Sequence, residues 1–198
     1  MGFYDRRVLP KLINVAMRQE RLTPYRERVL AGAEGRVLEI GVGSGPNLPY
    51  YPLRATEIFG LEPHAELRAM ATRAGFRVLN GSAEAIPLER AEVDTVVTTW
   101  TLCSIPDIAK ALQEMRRVLR PGGRLLFVEH GLAPDTGIQR WQHRLTPVWK
   151  HLAGGCHLDR NIPALIRIAG FEIESLESGH MPGPRLMTFM YEGSARPL

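Results

Sequence analysis

The sequence predicts an α/β fold: a doubly wound, mostly parallel, seven-stranded sheet with an antiparallel last strand and an N-terminal helical cap. Three observations lead there. Strand-length apolar runs such as Val37 to Ile40 and Leu125 to Val128 alternate with stretches of helical period. One of those runs enters a glycine-rich turn, Gly41-Val42-Gly43-Ser44-Gly45-Pro46. The chain then closes on two apolar runs near enough in sequence to pair antiparallel.

The elements follow in order. Val8, Leu9, Leu12, Ile13, Ala16 and Met17 recur at three- and four-residue spacing, so a leader helix with an apolar stripe is expected, followed by a second helix over 25–33 after Thr23-Pro24. Strands are expected over 36–40, 57–61, 76–80, 93–99 and 124–130, with helical stretches at 46–51, 65–74 and 108–119 between them. Pro121-Gly122-Gly123 stops the last of these helices, because proline cannot continue it and glycine tolerates positive φ. A tryptophan-bearing segment over 139–152, a short helix over 162–169 and strands over 171–176 and 186–191 complete the chain.

A chain of 198 residues with 44% hydrophobic content fits one domain over 1–198, divided into a helical leader (1–34), a cofactor-binding core (35–130) and an acceptor-side segment with the final strands (131–198). No apolar run approaches the roughly 20 residues of a membrane-spanning helix. Asp5, Arg6 and Arg7 precede the leader stripe without a secretory h-region, so a cytoplasmic location is expected. The net charge of +4 is concentrated in residues 1–36, which hold 8 Lys/Arg against 4 Asp/Glu. That bias suits a solvated helix or a peripheral contact with an anionic membrane, and it is too local for a nucleic-acid footprint. Cys103 and Cys156 lack metal-ligand spacing, no metal is expected, and Cys156 reads as a small buried hydrophobe.

The glycine turn carries the functional signal. Gly41 reverses the chain, Gly43 lets backbone approach a ligand, and Gly45 opens the following helix at Pro46. Glu62 ends the second strand, where an acid accepts hydrogen bonds from the two hydroxyls of an adenosyl ribose. Glu39 stands just before the turn. A pyrophosphate would be repelled there, whereas a sulfonium amino acid would be attracted, so the acid favours S-adenosylmethionine over a dinucleotide.

Glu39 to Gly45, Glu62, Gly81 to Pro87 and Val118 to Gly123 together resemble class I S-adenosylmethionine-dependent methyltransferases over about residues 35–130. The resemblance implies that the loop after the third strand, Ser82, Ala83 and Glu84, meets the adenine; the family's usual acid at its second position is Ser82 here. It also implies that Thr99, Trp100, Thr101 and Leu102 line the adenosyl-methionine side, and Asn47 and Pro63 complete the expected cofactor set. Trp141 to Trp149, Gly155 to Arg160, Cys103-Ser104 and Glu129-His130 resemble the methyltransferase-like proteins that methylate alkyl thiols in animals, and their bacterial relatives. The animal proteins carry a hydrophobic anchor where this chain has a charged amphipathic helix.

These readings lead to a methyltransferase acting on a small apolar acceptor, with a thiol foremost. Quinone- or phospholipid-type methylation is the second reading, and a noncatalytic adenosyl-ligand or nucleic-acid-associated protein is the third. Methyl transfer chiefly requires alignment and exclusion of water. If the acceptor must lose a proton, His130 at the end of the fifth strand is the first candidate to take it, with His157 and Asp159 next. Trp141, Trp149, Met181 and Met187 suit an apolar pocket or a core equally well.

Overall fold

A computed structural model describes residues 8–198. Asp5, Arg6 and Arg7 of the expected leader lie outside the described residues. The helical elements are α1 (Leu9–Met17), α2 (Thr23–Leu30), α3 (Ala65–Arg73), α4 (Ile108–Val118), α5 (Thr136–Leu152) and α6 (Ile162–Ile168). The strands are β1 (Gly35–Ile40), β2 (Ala55–Leu61), β3 (Arg77–Leu79), β4 (Val93–Thr99), β5 (Leu119–His130), β6 (Phe171–His180) and β7 (Phe189–Pro197).

They form one seven-stranded sheet in the order β3-β2-β1-β4-β5-β7-β6. Every neighbouring pair is parallel except those made by β7, which runs antiparallel to both β5 and β6. The doubly wound sheet and its reversed last strand are therefore as the sequence predicts. Strand order turns back between β1 and β4, and their carboxyl ends, with connections leaving in opposite directions, leave a crevice there.

Both sheet faces are covered, which is why the central strands read as continuous apolar runs and do not alternate. Leu38 and Ile40 of β1 point to the face packed by Leu112 and Met115 of α4 and Ile162 and Ile166 of α6. Val37, from the same strand, faces Val29 and Leu30 of α2 together with Val97, Leu126 and Val128. Leu112 and Met115 are fully buried, and each such side chain contributes about 1.5–3 kcal/mol. Asp107 caps α4 by accepting from the Lys110 N–H at 3.0 Å, and Asp135 caps α5 by accepting from Ile138 at 2.9 Å.

Several local expectations change. Pro121-Gly122-Gly123, expected as a turn, lies inside β5, which starts at Leu119 and not at 124, and the last strand, expected over 186–191, is β7 at Phe189–Pro197. The helix expected over 46–51 is a single 3-10 turn, Leu48–Tyr50, because Pro49 and Pro52 lack the N–H groups that α-helical bonding would need. Pro46 accordingly sits in the turn and not at a helix start. The tryptophan-bearing segment is the long helix α5 despite its internal Pro147. Buried Gln142 docks it: Oε1 accepts from Ala133 N–H at 3.0 Å, while Nε2 donates to the carbonyls of Gly131 and Leu186, each at 3.1 Å.

Candidate functional site

The crevice at the β1/β4 switch opens into a cavity of about 920 Å³. Small-molecule sites run from roughly 300 to 1,000 Å³, so this one lies at the upper end of that range. It is walled by the turn after β1, the ends of β2, β4 and β5, the loop after α5 and, from above, Leu9, Ile13 and Met17 of α1. Leu9, Ile13, Ala16 and Met17 of the leader's expected stripe thus find their partner by closing the cavity, whereas Leu12, expected in the same stripe, stays 54% exposed beside Val15 at 69%.

At one end stand the two acids. Glu39 is 1% exposed, its Oε1 accepting from Asn47 Nδ2 at 2.8 Å and its Oε2 from the Tyr51 hydroxyl at 2.7 Å. Burial raises its pKa from 4.5 to about 7, against the opposing effects of those two hydrogen bonds and of the Arg26 charge. Arg26 is itself buried, donating from Nε to Asn47 Oδ1 at 2.7 Å and from Nη2 to the Met17 carbonyl at 2.6 Å. Asn47 therefore links the leader helices to the acid. Glu62 accepts from Gly43 N–H at 3.0 Å and from His64 N–H at 2.8 Å, and burial raises its pKa too.

The glycines between these acids differ in what they permit. A Cβ on Gly41 would lie 2.5 Å from Thr101 Cγ2, so this glycine lets the turn close against the end of β4. A Cβ on Gly43 would meet nothing nearer than a carbonyl at 4.0 Å and would project into open space, at a φ of +57°. Next to it, Ser44 is buried, its Oγ has no hydrogen-bond partner among the described residues, and it lines the cavity. A space a Cβ would fill, an unpartnered hydroxyl and two acids under apolar cover suit an adenosyl amino acid. Glu62, whose oxygens keep lone pairs beyond the two backbone bonds, would take the ribose, and Glu39 would offset the amino-acid cation.

Among the expected cofactor residues, Glu39, Gly41, Gly43, Glu62, Pro63, Ser82, Ala83, Glu84, Thr99, Trp100 and Thr101 line the cavity. Gly45, Asn47 and Leu102 stand behind its wall: Gly45 closes on Phe76, Asn47 holds Glu39, and Leu102 is fully buried in the core. Ser82 Oγ and Glu84 Oε2 are hydrogen-bonded to each other. Trp100 adopts φ +52°, a left-handed conformation that a bulky residue holds only when its surroundings enforce it. Its N–H is fixed by the Val128 carbonyl at 2.8 Å, its ring meets Tyr25 edge-on, and Arg26 lies 5.0 Å over it.

The cavity wall also holds an apolar, sulfur-rich set, Trp149, Met181, Met187 and Met190. Trp141, by contrast, is 54% exposed on the outer side of α5. Here His130 Nε2 lies 2.8 Å from Cys156 Sγ, and among the described residues Cys103, His130 and Cys156 bring their ligating atoms within 4.8 Å of one another. Cys103 is drawn well below the ordinary thiol value by its interaction with Cys156 and the His130 charge, whereas Cys156 is pushed up by that same interaction with Cys103 and by burial. Burial opposes a proton on His130, yet the neighbouring Cys103 raises it overall. Glu129, buried beside them, is raised to about 8 by burial and then by Cys103.

His157 and Asp159, the second choices for taking a proton, do not line this cavity. His157 Nδ1 is bonded to the Gly155 carbonyl at 2.7 Å, and Asp159 pairs with His143 at 2.9 Å. Sequence reasoning overlooked Arg26, Tyr51, Ser44 and the cysteine cluster. Residues 103, 130 and 156 meet only through the fold, so their spacing held no signal of it.

The family described as "Methyltransferase domain" matches residues 38–127. The human thiol S-methyltransferase TMT1B is 34% identical over 177 residues, covering 80% of this chain and 72% of that protein. A phosphatidylethanolamine N-methyltransferase from Cereibacter sphaeroides is 33% identical over 121 residues, covering 52% of this chain and 54% of that protein. Among solved structures, a SAM-dependent methyltransferase from Thermotoga maritima, described as a possible histamine N-methyltransferase, superposes with a TM-score of 0.71 at 21% identity, covering 98% of this chain and 99% of that one.

Proposed function

Because this chain belongs to the class I S-adenosylmethionine-dependent methyltransferases, we propose that it methylates the sulfur of a small apolar thiol. The observation that carries this reading is one cavity whose wall joins the acids and glycine turn of the donor site to Trp149, Met181, Met187 and Met190, two cysteines and a histidine. When bound, S-adenosylmethionine supplies a methyl carbon already activated by a sulfonium. The protein's part is to bind, orient and keep water out. Glu62 holds the ribose, Glu39 the amino-acid cation, and Ser82, Ala83 and Glu84 the adenine side.

The acceptor sits toward Trp100 and Trp149, where apolar walls favour an alkyl or aryl thiol over a charged amine. His130, expected to act on the acceptor's proton, faces this end, and its contact with Cys156 makes the three-residue cluster the polar feature a thiol would meet. The leader helix α1 acts as a lid over both ligands. Its outer face exposes Leu12 and Val15 beside Lys11 and Arg18, and this apolar and basic surface supports a peripheral contact with an anionic membrane from a cytoplasmic location. Among the described residues no helix is long and apolar enough to cross a membrane. The partial likeness to a phospholipid N-methyltransferase favours a lipid amine as the second reading.

The test is transfer of labelled methyl groups from S-adenosylmethionine to a panel of alkanethiols, thiophenols, phenols, amines, quinols and phosphatidylethanolamine. Thioether products with apolar thiols are expected. Labelling confined to phosphatidylethanolamine or to quinols would overturn the thiol reading.

A further inference from the structure

Cys103, His130 and Cys156 come from three separate parts of the chain: the loop after β4, the end of β5 and the loop after α5. The last of these is driven in tightly. A Cβ on Gly155, at φ +88°, would stand 2.9 Å from the Ser104 carbonyl, so glycine is what allows the loop carrying Cys156 to lie against the loop carrying Cys103. The His157 N–H then locks the two loops together by donating to the Cys103 carbonyl at 2.8 Å.

The three side chains all line the cavity, and their ligating atoms lie within 4.8 Å of one another. Around a tetrahedral zinc ion, with bonds of about 2.3 Å to sulfur and 2.0–2.1 Å to nitrogen, ligand atoms stand about 3.5–3.8 Å apart. The His130 Nε2 to Cys156 Sγ distance of 2.8 Å would widen by less than about 1 Å to reach that geometry. Trp149 Nε1 already donates to Cys156 Sγ at 3.3 Å, and the Ser104 hydroxyl is 3.5 Å from Cys103 Sγ, the kind of outer contact that orients thiolate ligands. Two thiolates also balance a divalent charge, so the cluster would add no net charge to a buried region in which Glu129 and Arg160 already stand close together.

We propose that Cys103, His130 and Cys156 form a binding site for one thiophilic divalent cation of the zinc class, with its fourth coordination position open to the cavity. Three protein ligands and one open position are the arrangement of a reactive zinc site, in contrast to the closed four-ligand set of a structural one. The open position takes the acceptor. This part rests on the thiol reading above: the acceptor's S–H bond breaks, its proton leaves through the cavity to water, and the sulfur lone pair forms a bond to the cation, which holds the sulfur as a thiolate at neutral pH.

The test uses the full chain, stripped with chelator under reductant and titrated with Co²⁺. One equivalent should bind with a thiolate-to-cobalt absorption band in the near ultraviolet, and one equivalent of Zn²⁺ should abolish the band. Cys103→Ser, Cys156→Ser and His130→Gln should each weaken binding at least tenfold, with S-adenosylhomocysteine affinity measured calorimetrically to verify that the variants are folded. Adding propanethiol should shift the cobalt spectrum. A wild-type chain with two titratable thiols and no such band would overturn the site, as would a band that survives in the Cys103→Ser/Cys156→Ser chain. A spectrum indifferent to propanethiol would overturn the open fourth position. Thioether formation is scored separately by product mass, so a chain that binds cobalt and methylates no thiol refutes the acceptor reading and leaves the metal site standing.

Discussion

Replacing Glu39 by glutamine should stabilise the ligand-free protein above neutral pH while weakening its grip on the methyl donor. The acid is 1% exposed and its pKa is raised to about 7 from 4.5, chiefly by burial. Below 4.5 the carboxyl is protonated in both folded and unfolded chains and its contribution to stability is fully present. As pH rises, the unfolded chain ionises first, and stability is lost until the folded carboxyl ionises near 7. At about 1.4 kcal/mol per pH unit, the loss over that interval is about 3 kcal/mol. Glutamine removes it without disrupting the neighbours: Asn47 is held in one orientation by Arg26, so the glutamine oxygen faces Asn47 Nδ2, and the Tyr51 hydroxyl can turn to accept from the glutamine nitrogen. Urea unfolding at half-unit steps from pH 4 to pH 8.5 should show the stability difference between variant and wild type growing in the variant's favour up to about pH 7 and then levelling. The same ionisation should raise wild-type affinity for S-adenosylhomocysteine about tenfold between pH 6 and pH 8, beyond any change in the variant. A stability difference that stays flat with pH would refute the buried, raised carboxyl on which both expectations rest.

Other expectations follow from the same site. Glu62→Ala should cost on the order of 1–3 kcal/mol in S-adenosylhomocysteine binding through loss of the ribose acceptor, measured by calorimetry; unchanged affinity would remove Glu62 from the site. Gly43→Ala should lower stability by only roughly 1–2 kcal/mol for its left-handed backbone while blocking nucleoside binding. Gly41→Ala, whose Cβ meets Thr101 at 2.5 Å, should cost more in denaturant unfolding than Gly43→Ala does. Val15→Glu on the outer face of α1 should reduce co-sedimentation with phosphatidylglycerol vesicles at low salt without altering S-adenosylhomocysteine affinity; equal sedimentation would refute the membrane contact.

The amino-acid sequence determined the strands, most of the helices and the donor end of the site, because these are written in short-range patterns. Glu39 and the glycines lie within seven residues of one another, and Glu62 terminates the next strand, so a single βαβ-like unit carries the reading. Even there the prolines at 49 and 52 decided for a 3-10 turn over the expected helix, a matter of missing N–H groups that the apolar period does not register. Tertiary structure decided the acceptor end. Cys103, His130 and Cys156 are separated by more than twenty-five residues at each step, and they converge because β4 and β5 are neighbours in the sheet and Gly155 lets a distant loop pack against Ser104. Arg26, read as one charge in a solvated leader, is buried over Trp100 for the same reason. Local periodicity fixes which face of an element is apolar; which distant side chains that face meets depends on strand order and loop closure, and neither leaves a mark in the spacing of the residues it brings together.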